Sequence, residues 1–148
     1  MSEFGIGARL PRLEDDRFLN GNAQYCADIA LPGALHAAFV RSPHAHARVV
    51  SRPKPAGFEK SVYFADDLVG LGTLRSTAKM PGFKPSDWPI LAKGKVRHVG
   101  EPVAMVIGAS PAEAEDRAAL VQVEYEPLPP VVSMMDAQQR GQPYVHEE

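Results

Sequence analysis

KVRHVGEPVAMVIGASPAEAEDRAALVQVEYEP, Lys95 to Pro127, is the stretch that decides how this chain folds. Lys95 to Val99 and Val103 to Ile107 read as two strands around the turn Gly100-Glu101-Pro102. Ser110-Pro111-Ala112-Glu113 is a strong helix start: Ser as N-cap, Pro at the first helical position, Glu three residues after the cap. The helix that follows presents Ala114, Ala118 and Val121 at i, i+4 and i+7. One face is therefore apolar and made of small residues, which lets a helix lie close to a sheet. Gln122 to Tyr125 returns as a strand, ended by Pro127, Pro129 and Pro130.

Working outward, residues 1–24 read as an irregular arm in which Arg12 to Asp16 makes one helical turn and Asn20-Gly21-Asn22 a bend. Arg12 and Arg17 are placed to balance Glu14, Asp15 and Asp16. Leu31-Pro32-Gly33 is a tight turn. Ala34 to Arg41 after it is a mostly apolar strand, expected to be buried on both faces. Ala47 to Ser51 and Ser61 to Ala65 are further short strands. Asp66 and Asp67 cap a turn holding Leu68 and Leu71. Residues 73–90 hold three prolines and no clean period, and read as a long surface loop. Met134 to Gln139 makes a last helical turn. The order favours α+β or compact α/β over a doubly wound fold: a small mixed β-sheet with one well-defined helix near 111–121.

The 148 residues suit one domain, and 45% hydrophobic against 23% charged residues supports a packed core. A net charge of −2 gives no general drive toward nucleic acid or anionic lipid. Cys26 is the only cysteine, which excludes an internal disulfide, a cysteine-based zinc site and a four-cysteine iron–sulfur cluster within the chain. Its simplest reading is a small residue packed in a strand. The polar, acidic start is unlike a secretory signal and no apolar run approaches a membrane span, so a cytoplasmic location is expected. Gly5-Ile6-Gly7 lacks the preceding strand and the third glycine of a dinucleotide fingerprint, with Leu10-Pro11 in the latter's place.

Arg41-Ser42-Pro43-His44-Ala45-His46-Ala47-Arg48 is the chemically unusual run. On a strand His44, His46 and Arg48 share a side, so two imidazoles meet a permanent cation. That arrangement disfavours a divalent metal, and no carboxylate stands nearby in sequence to complete a shell. Backbone bonding, or an anion contact at an interface, fits better. Glu101, fixed between Gly100 and Pro102, is suited to accept backbone N–H groups or an arginine, as a brace or as a contact to another subunit. Arg41, His44, His46, Arg48, Gly100, Glu101 and Pro102 are thus structural or interface candidates. No residue is assigned a catalytic, cofactor-binding or metal-binding role.

Two blocks, RLEDDRFLNGNAQYCADIALPGALHAAFVRSPHAHARVV (Arg12 to Val50) and GKVRHVGEPVAMVIGASPAEAEDRAALVQVEYEPLPPVV (Gly94 to Val132), resemble the molybdenum-containing large subunit of xanthine dehydrogenase, aldehyde oxidase and carbon monoxide dehydrogenase. They cover more than half of the chain in that family's order. The resemblance implies the family's N-terminal α/β-hammerhead domain, over residues 25–137, with residues 138–148 as a tail leading toward an absent molybdopterin domain. Between Val50 and Ser61 the family has a longer, helix-containing connection, so that helix is expected to be cut to a turn here. The family's pterin-binding glycine loops and catalytic glutamate match no position of this sequence.

By resemblance, then, the chain is a scaffold or assembly module of a molybdenum hydroxylase, an oxidoreductase, and not catalytic alone. The parent complex would use molybdopterin, as its cytosine dinucleotide, with [2Fe–2S] clusters and FAD. The implied partners are the molybdopterin-binding domains and the iron–sulfur subunit, and the isolated chain is expected to expose an apolar face and self-associate. The alternative is a stand-alone binding module or metal protein using the His44/His46 face, joined by His36 or Glu101.

Overall fold

Short elements joined by turns run the length of the chain in the computed structural model, which describes residues 5–139 and 141–146. The first four residues of the expected arm, and residues 140, 147 and 148 of the expected tail, lie outside the described residues. Two compact units are distinguished, Met1–Ala34 and Leu35–Glu148.

The first unit holds α1 (Asp15–Leu19), three residues later than the helical turn expected from sequence. Arg12 anchors its start, donating through its backbone N–H (3.1 Å) and Nε (2.9 Å) to the Asp15 carboxylate. Phe18 stacks on Tyr25 with ring centroids 5.9 Å apart. Cys26 opens a single turn of 3-10 helix and is exposed, correcting its placement in a strand. Asp28 rules that out locally: its carboxylate accepts the Tyr25 N–H at 2.8 Å and closes the turn.

The second unit carries β1 (His36–Arg41), β2 (Ala47–Ser51), β3 (Val62–Tyr63), β4 (Leu74–Arg75), β5 (Asp87–Trp88), β6 (Lys95–Val96), β7 (Pro102–Gly108), α2 (Pro111–Ala119), β8 (Glu124–Pro127) and α3 (Met134–Ala137). The sheet read as one mixed unit resolves into two three-stranded sheets, β1-β7-β3 and β6-β2-β8, and a ladder of β4 with β5. Every described pairing is antiparallel. The linker after β2 keeps one turn of 3-10 helix, Glu59–Ser61.

β7 organises the packing. It is the central strand of its sheet, and its side chains feed two cores. Ala104 and Val106 pack with Val62, Phe64 and Val121. Val103 packs with Ala47, Ala92 and Val96. Consecutive side chains of a strand point to opposite faces, so one seven-residue element closes both clusters. Val123 touches both.

α2 lies over this sheet because its face is small. Ser110 caps it, its hydroxyl accepting the Glu113 N–H at 3.2 Å, and the Glu113 carboxylate reaches back to the Ala109 N–H at 2.5 Å. Ala114 is buried, and Ala118 and Val121 join the β3–β7 cluster. Gly108 is what permits the approach: a Cβ there would stand 2.5 Å from the Ala114 backbone nitrogen.

Three expectations are corrected. β1 pairs only with β7 and is mostly exposed, not buried on both faces, because no layer covers its outer side among the described residues. β6 and β7 do not form a hairpin; they belong to different sheets, β6 pairing with β2. Residues 73–90 are not wholly loop, since Leu74 pairs with Trp88 and Arg75 with Asp87, the latter pair tied by their side chains as well. No helix among the described residues is long and apolar enough to cross a membrane.

Candidate functional site

The end of β1, the bend after it and the turn before β7 form one tied unit. Ser42 is buried, and its backbone N–H donates to the Glu101 carbonyl (2.9 Å) while its carbonyl accepts the Gly100 N–H (2.8 Å). Its hydroxyl accepts the His44 N–H at 3.0 Å and donates to the His44 carbonyl at 2.9 Å, fixing the bend. Gly100 has φ of +85°, a backbone region that favours glycine. The Arg41 guanidinium donates to the Gly100 carbonyl at 2.9 Å.

Glu101 is buried at 6% exposure. Its carboxylate accepts the Arg97 backbone N–H, and its other oxygen lies 3.5 Å from the Arg97 guanidinium. A buried carboxylate needs such partners to offset its lost hydration. The same bond explains the absent hairpin. The Arg97 N–H goes to a side chain, and the Gly100 N–H goes to Ser42.

Arg41, Gly100, Glu101 and Pro102 line a cavity of about 250 Å³, together with Arg97 and Trp88. The residues came from two separated segments of sequence and are joined here by the Ser42 bonds. Trp88 was not singled out from the sequence, because its segment read as loop. The chain's only tryptophan in a proline-rich stretch was the available signal, since a large aromatic on a surface loop often marks a contact. Its ring lies 6.1 Å from that of His98.

Both histidines precede β2, His44 in irregular backbone and His46 in a bend, so strand alternation does not govern them. His46 is buried, and its Nδ1 is 2.8 Å from the Pro129 carbonyl. That acceptor requires the proton on Nδ1. Its Nε2 is buried with no hydrogen-bond partner among the described residues. His44 packs on Tyr125 with ring centroids 5.0 Å apart. Burial pushes the pKa of the Tyr125 phenol above the ordinary tyrosine value, against a weaker lowering influence from Ser42. Arg48 is exposed and pairs with Glu126 at 3.3 Å. His36 sits at the opposite end of β1 from Glu101, about 17 Å away at the rise of a strand, and does not join them.

The sequence from residue 20 to 129 matches the family model described as aldehyde oxidase and xanthine dehydrogenase, a/b hammerhead domain. The nicotine 6-hydroxylase large subunit of Paenarthrobacter nicotinovorans is 39% identical over 141 residues, covering 92% of this chain and 17% of that protein. The carbon monoxide dehydrogenase large chain of Afipia carboxidovorans is 36% identical over 148 residues, covering 97% of this chain and 18% of the relative. Among solved structures, quinoline 2-oxidoreductase from Pseudomonas putida 86 superposes with a TM-score of 0.81 at 41% identity, over 95% of this chain and 18% of that one. The chain therefore spans less than a fifth of the length of these relatives.

Proposed function

This chain belongs to the aldehyde oxidase and xanthine dehydrogenase family, in its a/b hammerhead domain, and from that membership we propose that it acts as a scaffold and assembly module of a molybdenum hydroxylase. It contributes surface to that complex and leaves the chemistry to other parts of it. The observation that carries this reading is β1: a strand of apolar composition left open at a sheet edge, with Phe39 46% exposed and Leu35 before it 66% exposed. Large apolar side chains on an open edge are the mark of a surface that another chain covers. Glu101 and Gly100 serve as internal braces that hold the adjacent cavity open, and Arg41 stands at its rim.

Molybdopterin, [2Fe–2S] clusters and FAD would belong to the parent complex. The residues described here do not fit the clusters. A cluster of this kind needs several thiolates, and Cys26 is alone. His46 is committed through Nδ1 to a backbone carbonyl, His44 lies against Tyr125, and Arg48 is engaged with Glu126.

Affinity capture of the chain from its source, with mass spectrometry of what accompanies it, tests the role. Recovery with a molybdopterin-binding or iron–sulfur subunit is the expected outcome; recovery without either counts against it. Elemental analysis of the purified chain addresses the metal-protein reading. No near-stoichiometric metal is expected, and the double substitution His44→Ala with His46→Ala leaves the content unchanged.

A further inference from the structure

A second cavity, of about 260 Å³, shares two walls with the one beside Glu101, namely Arg97 and His146. The two differ in character. The first is bounded by Leu74, Trp88, Ile90 and Pro102. The second is bounded by Arg75, Lys84, Lys95 and Arg97, with Asp87 as its one carboxylate. Asp87 is held by Arg75, whose Nη2 lies 2.9 Å away and whose hydrogen bond, with a smaller contribution from its charge, keeps the carboxyl below the usual carboxylate range. Glu101, in the first cavity, balances Arg97. The two linings together hold five cations, Arg41, Arg75, Lys84, Lys95 and Arg97, against two carboxylates, Asp87 and Glu101. Lys84 has no ion pair among the described residues, and the Nε of Arg97 is buried without an acceptor among them.

We propose that these joined cavities form a binding site for an aromatic carboxylate, its ring lying in the apolar cavity against Trp88 and its carboxylate in the cationic one between Arg97 and Lys84. The volumes suit one ring and one small anionic group. The aromatic face supplies stacking area. The cations supply charge-assisted hydrogen bonds, which are worth about twice neutral ones. The site is independent of the assembly role, since it requires only this chain's own residues.

The test is titration of the 148-residue chain with benzoate, benzamide and inorganic phosphate, followed by the indole N–H resonance of Trp88. Benzoate is expected to saturate. Benzamide lacks the charge and phosphate the ring, so each binds roughly tenfold more weakly or worse, the size of one lost charged hydrogen bond or one lost stacking contact. Lys84→Ala weakens benzoate by roughly fivefold or more and leaves benzamide unmoved. Trp88→Ala weakens benzoate and benzamide alike, read by isothermal calorimetry, and leaves phosphate unmoved. Both residues lie at the surface, so the fold tolerates the changes. Non-saturating shifts, benzamide as tight as benzoate, or an indifferent Lys84→Ala variant would each overturn the proposal.

Discussion

β1 and β7 are neighbours in one sheet, each is short and mostly apolar, and they meet opposite fates. β7 is covered on both faces, with Val103, Ala104 and Val106 fully buried. β1 shares its hydrogen-bonding edge and stays open, with all six of its residues, Phe39 among them, exposed or half-buried. Apolar composition alone therefore does not say what a strand is packed against. In β7 it serves this chain's own core. In β1 it lies at the surface, where the proposed assembly role would use it.

The contrast can be broken most forcefully at Gly108. Gly108→Ala places a Cβ 2.5 Å from the Ala114 backbone nitrogen, where neither β7 nor α2 has a flexible side chain to move. Overpacking against backbone is expected to cost about 3 kcal/mol, seen as a fall in Tm of roughly 10 °C by calorimetry. A matched pair sharpens it next. Val106→Ala should cost about 2 kcal/mol, the lost methyl groups plus a cavity in the β3–β7 core. Phe39→Ser in β1 should change stability by no more than about 0.5 kcal/mol. It should instead reduce the concentration-dependent self-association expected of the isolated chain in sedimentation velocity. A wild-type chain that stays monomeric at high concentration, with a high Tm, contradicts the open-edge reading.

The smallest effect is on pH dependence. The folded-state pKa of Tyr125 is raised, so the phenol contributes stability that is fully present below its unfolded value, about 10, and is lost as pH rises through the folded value. Tyr125→Phe should flatten that alkaline limb, measured by denaturant titration between pH 8 and roughly 11. An unchanged limb would place its origin in other groups.

Much of the fold was legible where local chemistry and global packing agree. The Ser110-Pro111-Glu113 start, the small face of α2 and the existence of β7 all follow from residues within a few positions of one another. The hammerhead class followed from the two blocks that resemble the family. Illegible features depend on distant partners. A two-residue strand has no period, so the β4–β5 ladder could not be seen in residues 73–90. The hairpin expected across Gly100 fails because the Glu101 carboxylate and Ser42 take the amides that a ladder needs. Of the candidate site, the acceptor role of Glu101 was readable from its position between glycine and proline. The meeting of that turn with Arg41 and Trp88 was not, because it depends on Ser42, whose sequence context is silent about Gly100. Strand alternation could not place the histidine pair, because both residues precede β2.

Amide hydrogen exchange on β1 and β7 tests the central claim most directly, measured on the isolated chain and again on the chain bound to the subunits that co-purify with it. In isolation β1 amides should exchange at least roughly tenfold faster than those of β7, as an uncovered edge does, and should gain protection on assembly. β1 amides as slow as those of β7 in the isolated chain, or unchanged in the complex, would contradict the account.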